Sequence, residues 1–214
     1  ETDEIIEKNY SARSTVGKKV CKAKLLAELG LQEGNEPVIG IVTRFVSHKG
    51  IDLIKYVFED LIKAGFKFVI LGSGEKIYED FFKEMEWRYK DKVSVSLGFI
   101  PELSRKIYSG ADMFLMPSQS EPCGLAQMIA MRYGTIPIVR ETGGLRDTVR
   151  DCGGENGNGF TFKTYNAHDM LMHVCVQKRL MRIKEAGIES LSVIWRKISV
   201  GQILLNFILS FIMS

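Results

Sequence analysis

The chain has few residues that could brace it by any means other than its own core. Four cysteines in 214 residues, Cys21, Cys123, Cys152 and Cys175, lie far apart with no C-x-x-C pair. That pattern excludes a disulfide framework and a cysteine zinc site, and it points to reduced thiols in a cytosolic protein. The three histidines, His48, His168 and His173, have no ligand spacing, so no metal is expected. Charge of either sign is not in excess: the formal net charge is +3 with basic residues spread along the chain, which leaves no footprint for nucleic acid. The opening ETDEIIEKNY lacks the basic start and apolar core of a secretory leader, so Asn9-Tyr10-Ser11 reads as an idle glycosylation sequon. The one long uncharged run is ISVGQILLNFILSFIMS at 198–214. It lies at the bottom of the ~17–25 residues that span a bilayer, and it reads either as a membrane helix or as a helix buried against a partner domain, with a membrane not expected.

The hydrophobic fraction is 45% and the charged fraction 26%, as in an ordinary globular domain. From Pro37 onward, short β-branched runs alternate with amphipathic stretches. The strands read VIGIVT, FKFVIL, VSVSL, DMFLM and IPIV, and between them GIDLIKYVFEDLIKAG, KIYEDFFKEMEWRYK, PELSRKIYSG and GLAQMIAMRYG show helical spacing. Strand, crossover helix and strand in repetition predict an α/β fold with a Rossmann-like, doubly wound parallel sheet. Three regions are expected: a lead-in segment at 1–36 whose helix ends at Gly30, a Rossmann-like domain at 37–172, and a basic then apolar helical tail at 173–214.

In such sheets ligands bind beyond the carboxyl ends of the strands. After the first strand stand Arg44 and Lys49, either a clamp for a diphosphate or a solvated surface pair. After the second come Gly72, Ser73 and Gly74, where missing side chains would let a ligand approach the backbone. Ile77 occupies the place of the third glycine of a dinucleotide fingerprint, and no phosphate-loop lysine follows. Phe99, after the third strand, could lie against a base or sugar face, or pack in the core. After the fourth and fifth strands, Glu121, Cys123, Gly124 and Leu125, and then Thr142, Gly143, Gly144 and Leu145, lead into helix starts whose backbone N–H groups suit an anion. Two cations, two helix starts and a carboxylate around one crevice suit an anion joined to a polyhydroxy group, as in a nucleotide sugar.

These residues carry a resemblance. TRFVSHKGIDLI is similar to the R-x-x-x-Q-K-G-x-D-L stretch of the bacterial glycogen synthase and plant starch synthase family, and SEPCGLAQMIAMRYGTIPIVRETGGLRDT to its E-P-C-G-L and T-G-G-L segment. GFTF resembles the strand beyond it, and the likeness runs from residue 1 to about 171. It implies the C-terminal, donor-binding half of a two-domain GT-B glycosyltransferase. The activity implied is transfer of glucose from ADP-glucose, or less often UDP-glucose, to the non-reducing end of an α-1,4-glucan with retention. By the same resemblance Arg44 and Lys49 stabilise the departing diphosphate, Glu121 holds the glucose, and Leu125 with the Gly143-Gly144-Leu145 turn lines the pocket through backbone N–H groups. Phe99 lies near the adenine, and neither metal nor other cofactor is needed. The location implied is the cytoplasm, or a plastid in a plant.

The match departs at His48, where the family usually has Gln, at Ser120, where an aromatic commonly precedes the glutamate, and beyond His173. Ile129 stands where the E-x7-E pattern of other GT-B enzymes would place a second glutamate. The family's N-terminal domain, with its K-x-G-G-L loop and glucan site, is absent from the sequence, so the isolated chain is expected to bind nucleotide but hardly to transfer glucose. A non-catalytic nucleotide- or glucan-binding module of the same fold is the alternative.

Overall fold

The structure, a computed structural model, describes residues 2–11, 14–153 and 157–185. In chain order the elements are α1 (Val16–Glu28), β1 (Val38–Val42), a 3-10 turn (Ser47–Lys49), α2 (Ile51–Lys63), β2 (Lys67–Gly72), α3 (Lys76–Arg88) and β3 (Val93–Leu97). There follow α4 (Pro101–Gly110), β4 (Met113–Met116), α5 (Ala126–Arg132), β5 (Ile136–Arg140), α6 (Gly143–Thr148), β6 (Phe160–Phe162) and α7 (Ala167–Glu185). All ladders are parallel, and the sheet order is β3-β2-β1-β4-β5-β6. The expected Rossmann-like, doubly wound sheet is therefore present.

The central strands are mostly apolar because helices cover both faces. Alternate residues serve alternate cores: Ile39, Ile41, Phe68, Ile70, Met113, Leu115 and Ile138 face α2, α3 and α7. Their neighbours Val38, Val69 and Leu71 face α1 and α4, while Phe114, Met116 and Val139 meet Ala130 of α5 and Leu145 of α6. The apolar stripe of α2, Ile51, Ile54, Phe58, Leu61 and Ile62, is wholly buried. Phe58 packs on Phe68 with ring centroids 4.5 Å apart, and burying one such ring contributes roughly 1.5–3 kcal/mol. The helix exits through crossed bonds, Phe66 N–H to the Leu61 carbonyl at 3.2 Å and Gly65 N–H to that of Ile62 at 3.0 Å, the exit that a terminal glycine permits.

Two boundaries look different in three dimensions. The lead-in helix α1 is built into the same layer as the rest, since Leu25 and Leu26 share a core with Val38, Val69 and Ile107. Lys18 ties that layer to the sheet, donating to the carbonyls of Ser109 at 3.2 Å and Tyr133 at 3.1 Å and to Thr135 Oγ1 at 2.6 Å. The division drawn at 172 falls inside α7, which runs unbroken across it. The apolar run at 198–214 lies outside the described residues, and among those described no helix is long and apolar enough to cross a membrane.

Candidate functional site

The sheet reverses its winding between β1 and β4, so the loops that leave these neighbouring strands part and open a crevice at their carboxyl ends. They stay in contact at the base of that crevice. The His48 carbonyl accepts the N–H groups of Gln119 at 2.9 Å and Ser120 at 3.4 Å. Above this seam lies the pair that 72 residues of sequence separate: Lys49 Nζ stands 2.5 Å from Glu121 Oε2, and the two side chains are 15% and 11% exposed. Ser118 Oγ donates to the same carboxylate oxygen at 3.3 Å. Glu121 is thus a held carboxylate rather than a solvated turn residue, with Oε1 left to accept from a ligand. Arg44 is exposed, and among the described residues its guanidinium has no hydrogen bond or ion pair. It is the available cation on this rim.

The glycines serve a different purpose from the expected one. A Cβ on Gly72 would stand 1.9 Å from the Thr43 carbonyl oxygen, and one on Gly74 2.3 Å from that of Phe45. The chain that approaches them is therefore the β1–α2 loop, which pairs Phe45 N–H with the Ser73 carbonyl at 2.9 Å. Gly144 lies under the Cys123 carbonyl, 1.8 Å from where a Cβ would be, and Gly143 under that of Glu121 at 2.2 Å. Packing of loop on loop is by itself enough to require these missing side chains.

The helix starts are also less open than the sequence suggests. The helices are short, seven residues in α5 and six in α6. Gly144 N–H already donates to the Glu121 carbonyl at 3.0 Å, and Leu145 N–H to that of Thr142 at 3.0 Å. The expected role of Leu145, a backbone N–H offered to a ligand, is corrected on that ground: its N–H is taken and its side chain lies in the core with Val139. Leu125, at the start of α5, is 64% exposed toward solvent, and Cys123 carries an exposed free thiol beside it. Phe99 is 91% exposed beyond β3, the edge strand. Its strand is two places from β1 in the sheet, and it stands out of the core.

Two residues that sequence reasoning passed over hold this rim. Gln127, fully buried in α5, donates to the Gly124 carbonyl at 2.7 Å and to Thr148 Oγ1 at 2.9 Å, so it ties the Glu121 loop to α6. Its one legible signal is an amide among the apolar positions of LAQMIA. Arg140, the last residue of β5, donates from Nε to the Ser118 carbonyl at 2.9 Å and from its terminal nitrogens to the carbonyls of Gln119 and, at 3.4 Å, Lys163.

The site is an open rim, not an enclosed pocket. A concavity of about 900 Å³ lies at the opposite end of the sheet, between the lead-in segment and Arg105, Arg132 and Tyr133. Its polar groups are largely spent on one another: Tyr133 donates to Asp3, and Tyr10 donates to the Tyr133 carbonyl at 2.9 Å. Among the described residues no three His, Cys, Asp or Glu are grouped as a metal ion would require.

Comparison with known proteins points the same way as the geometry. Residues 27–174 match the family described as glycosyl transferases group 1. The glycogen synthase of Clostridium acetobutylicum is 51% identical over 175 residues, 80% of this chain and 36% of that protein. The glycogen synthase of a Bacillus cereus strain is 49% identical over 174 residues, 80% of this chain and 37% of that protein. The chain therefore spans a little over a third of the length of these relatives. Among solved structures, the catalytic domain of starch synthase IV from Arabidopsis thaliana, bound to ADP and acarbose, superposes with a TM-score of 0.78 at 37% identity, over 83% of this chain and 38% of that one.

Proposed function

The chain belongs to the group 1 glycosyl transferases, and from that premise we propose that it is the donor-binding part of a retaining glucosyltransferase of the glycogen or starch synthase type. The reaction is transfer of glucose from ADP-glucose, or UDP-glucose, to the non-reducing end of an α-1,4-glucan. The observation that carries this reading is the Lys49–Glu121 pair at 2.5 Å on the rim between β1 and β4, with Arg44, unpaired among the described residues, in the loop that leaves β1.

The chemistry follows from that arrangement. Breaking the bond between the anomeric carbon and the diphosphate leaves negative charge on the leaving phosphate oxygens, and positioned cations lower the barrier most when they are aimed at charge that develops. Arg44 can take two phosphate oxygens with its planar fork. Lys49 has three N–H bonds, of which one goes to Glu121, so it can bridge the diphosphate and the carboxylate. The free oxygen of Glu121 accepts from sugar hydroxyls, which fixes the ring relative to the leaving group. Electrostatic work that a metal does in other transferases is in this reading done by the two side-chain cations. Leu125 and the base-side Phe99 would flank the bound donor. The remaining length of the relatives leaves room for a facing domain to present the glucan, and the reaction is assigned to the cytoplasm or, in a plant, a plastid.

The reading is tested by calorimetric titration of the chain with ADP and ADP-glucose. Arg44→Ala is expected to weaken both ligands alike, because both carry the diphosphate. Glu121→Ala is expected to weaken chiefly ADP-glucose. Absence of saturable binding by the folded chain, or equal losses for both ligands in both variants, overturns it.

A further inference from the structure

The loop that carries Glu121 has to hold its carboxylate at one point against a sugar, yet it is nine residues of irregular backbone between Met116 and Ala126. Its N–H groups are secured on the β1 side, where Gln119 and Ser120 donate to the His48 carbonyl. Its carbonyl groups are secured on the other side by Arg140. Two consecutive carbonyls, Ser118 and Gln119, accept from one guanidinium, and a third bond runs to Lys163 beyond β6. Thr142 Oγ1 adds a bond to the Gln119 carbonyl at 3.4 Å.

A planar guanidinium takes the two successive carbonyls in one fixed geometry, whereas a lysine ammonium is a compact donor on a flexible stem and fixes their orientation less. Arg140 is held in turn from beneath, with its guanidinium 5.7 Å from the centre of the Tyr165 ring. The Tyr165 hydroxyl donates to Asp52 Oδ1 at 2.5 Å, and burial together with the Asp52 carboxylate pushes that hydroxyl far above its ordinary range, which keeps it a donor. Asp52 lies in the first turn of α2, three residues after Lys49. The chain of contacts thus runs from Arg140 to both halves of the Lys49–Glu121 pair: directly to the loop of one, and through Tyr165 to the helix that follows the other. Among the described residues Arg140 has no carboxylate partner, so salt-bridge formation does not account for its place.

We propose that Arg140 is a positioning residue, which locks the Ser118–Gln119 peptide units and thereby sets the Glu121 carboxylate where it takes the sugar of a nucleotide-sugar donor. The proposal rests on the reading of Glu121 as the sugar-holding group. Arg140 touches neither sugar nor phosphate; it acts through the backbone of its neighbours.

The test compares the full 214-residue chain with Arg140→Ala, Arg140→Lys and Glu121→Gln, by amide hydrogen exchange without ligand and by titration with ADP and ADP-glucose. In Arg140→Ala the segment 117–122 is expected to exchange at least tenfold faster while the sheet strands are unchanged. Affinity for ADP-glucose is expected to fall at least fivefold more than affinity for ADP. Arg140→Lys, which keeps the charge but not the planar fork and guards against failure to fold, is expected to fall between wild type and Arg140→Ala in both measures. Unchanged exchange in 117–122 overturns the proposal, as does faster exchange across the whole sheet with equal losses for both ligands. If Glu121→Gln itself fails to separate the two ligands, the reading of the site fails, and the exchange of 117–122 alone decides whether Arg140 fixes that loop.

Discussion

Replacing Gly144 with alanine sets two physical effects against each other. The residue lies inside α6, where alanine is the better helix former and on propensity alone adds about 0.5–1 kcal/mol of stability. The new methyl group, however, would stand 1.8 Å from the Cys123 carbonyl oxygen, against a floor of 3.0 Å for real contacts, so the two chains must separate by roughly 1.2 Å. The obstacle is backbone and cannot rotate away. Overpacking of this kind costs about 1–3 kcal/mol, and the retreat also stretches the 3.0 Å bond from Gly144 N–H to the Glu121 carbonyl. A net loss of about 1–2 kcal/mol is expected, read as a lower urea midpoint with an unchanged slope. Because Glu121 is carried along with the loop, ADP-glucose should lose more affinity than ADP in calorimetric titration. A variant as stable as wild type, with ADP-glucose binding intact, refutes the claim that α6 and the Glu121 loop are in backbone contact.

Two further perturbations probe other parts of the fold. Gln177 in α7 is buried with both amide atoms lacking a partner among the described residues; leaving such a group unsatisfied costs about 1–3 kcal/mol, so Gln177→Met is expected to raise the urea midpoint, and a fall would show that the amide is bonded. Lys18 is pushed down to about 8 from 10.5, mainly by burial, with Asp112 and Cys21 pulling the other way and Lys22 reinforcing it. Its folded form therefore binds fewer protons than the unfolded chain between these values, and stability rises with pH across that window, while below pH 8 the burial penalty is complete and constant. Wild type should gain about 2 kcal/mol relative to Lys18→Met between pH 7.5 and 9.5; no gain, or the opposite trend, in paired urea titrations contradicts the burial argument.

The fold was legible because two periodicities coincide with two kinds of burial. VIGIV and FVIL are apolar at every position since both sheet faces are covered, and the α2 stripe repeats at helical spacing since one face is. The rim was legible in its location but less so in its workings. A glycine after a strand reads the same whether a ligand or another loop approaches it, and the sequence does not show that backbone stands where a Cβ on Gly72 or Gly74 would be. Leu145 shows the same ambiguity, because whether an N–H is free depends on a carbonyl elsewhere. Arg140 was invisible for a related reason. An arginine at a strand end ordinarily reads as solvated, and its partners here are carbonyls, which every residue has and no sequence distinguishes.

The mutual seating of the rim loops bears on how this part of the chain can change length. Backbone meets backbone at His48 with Gln119, at Phe45 with Ser73 and at Glu121 with Gly144, so each loop is the template for the next. One added residue in any of them would shift a carbonyl that its neighbour uses, and the shift would pass from β2 through to α6. Insertions and deletions should therefore be poorly tolerated between Thr43 and Gly50 or between Pro117 and Gly124.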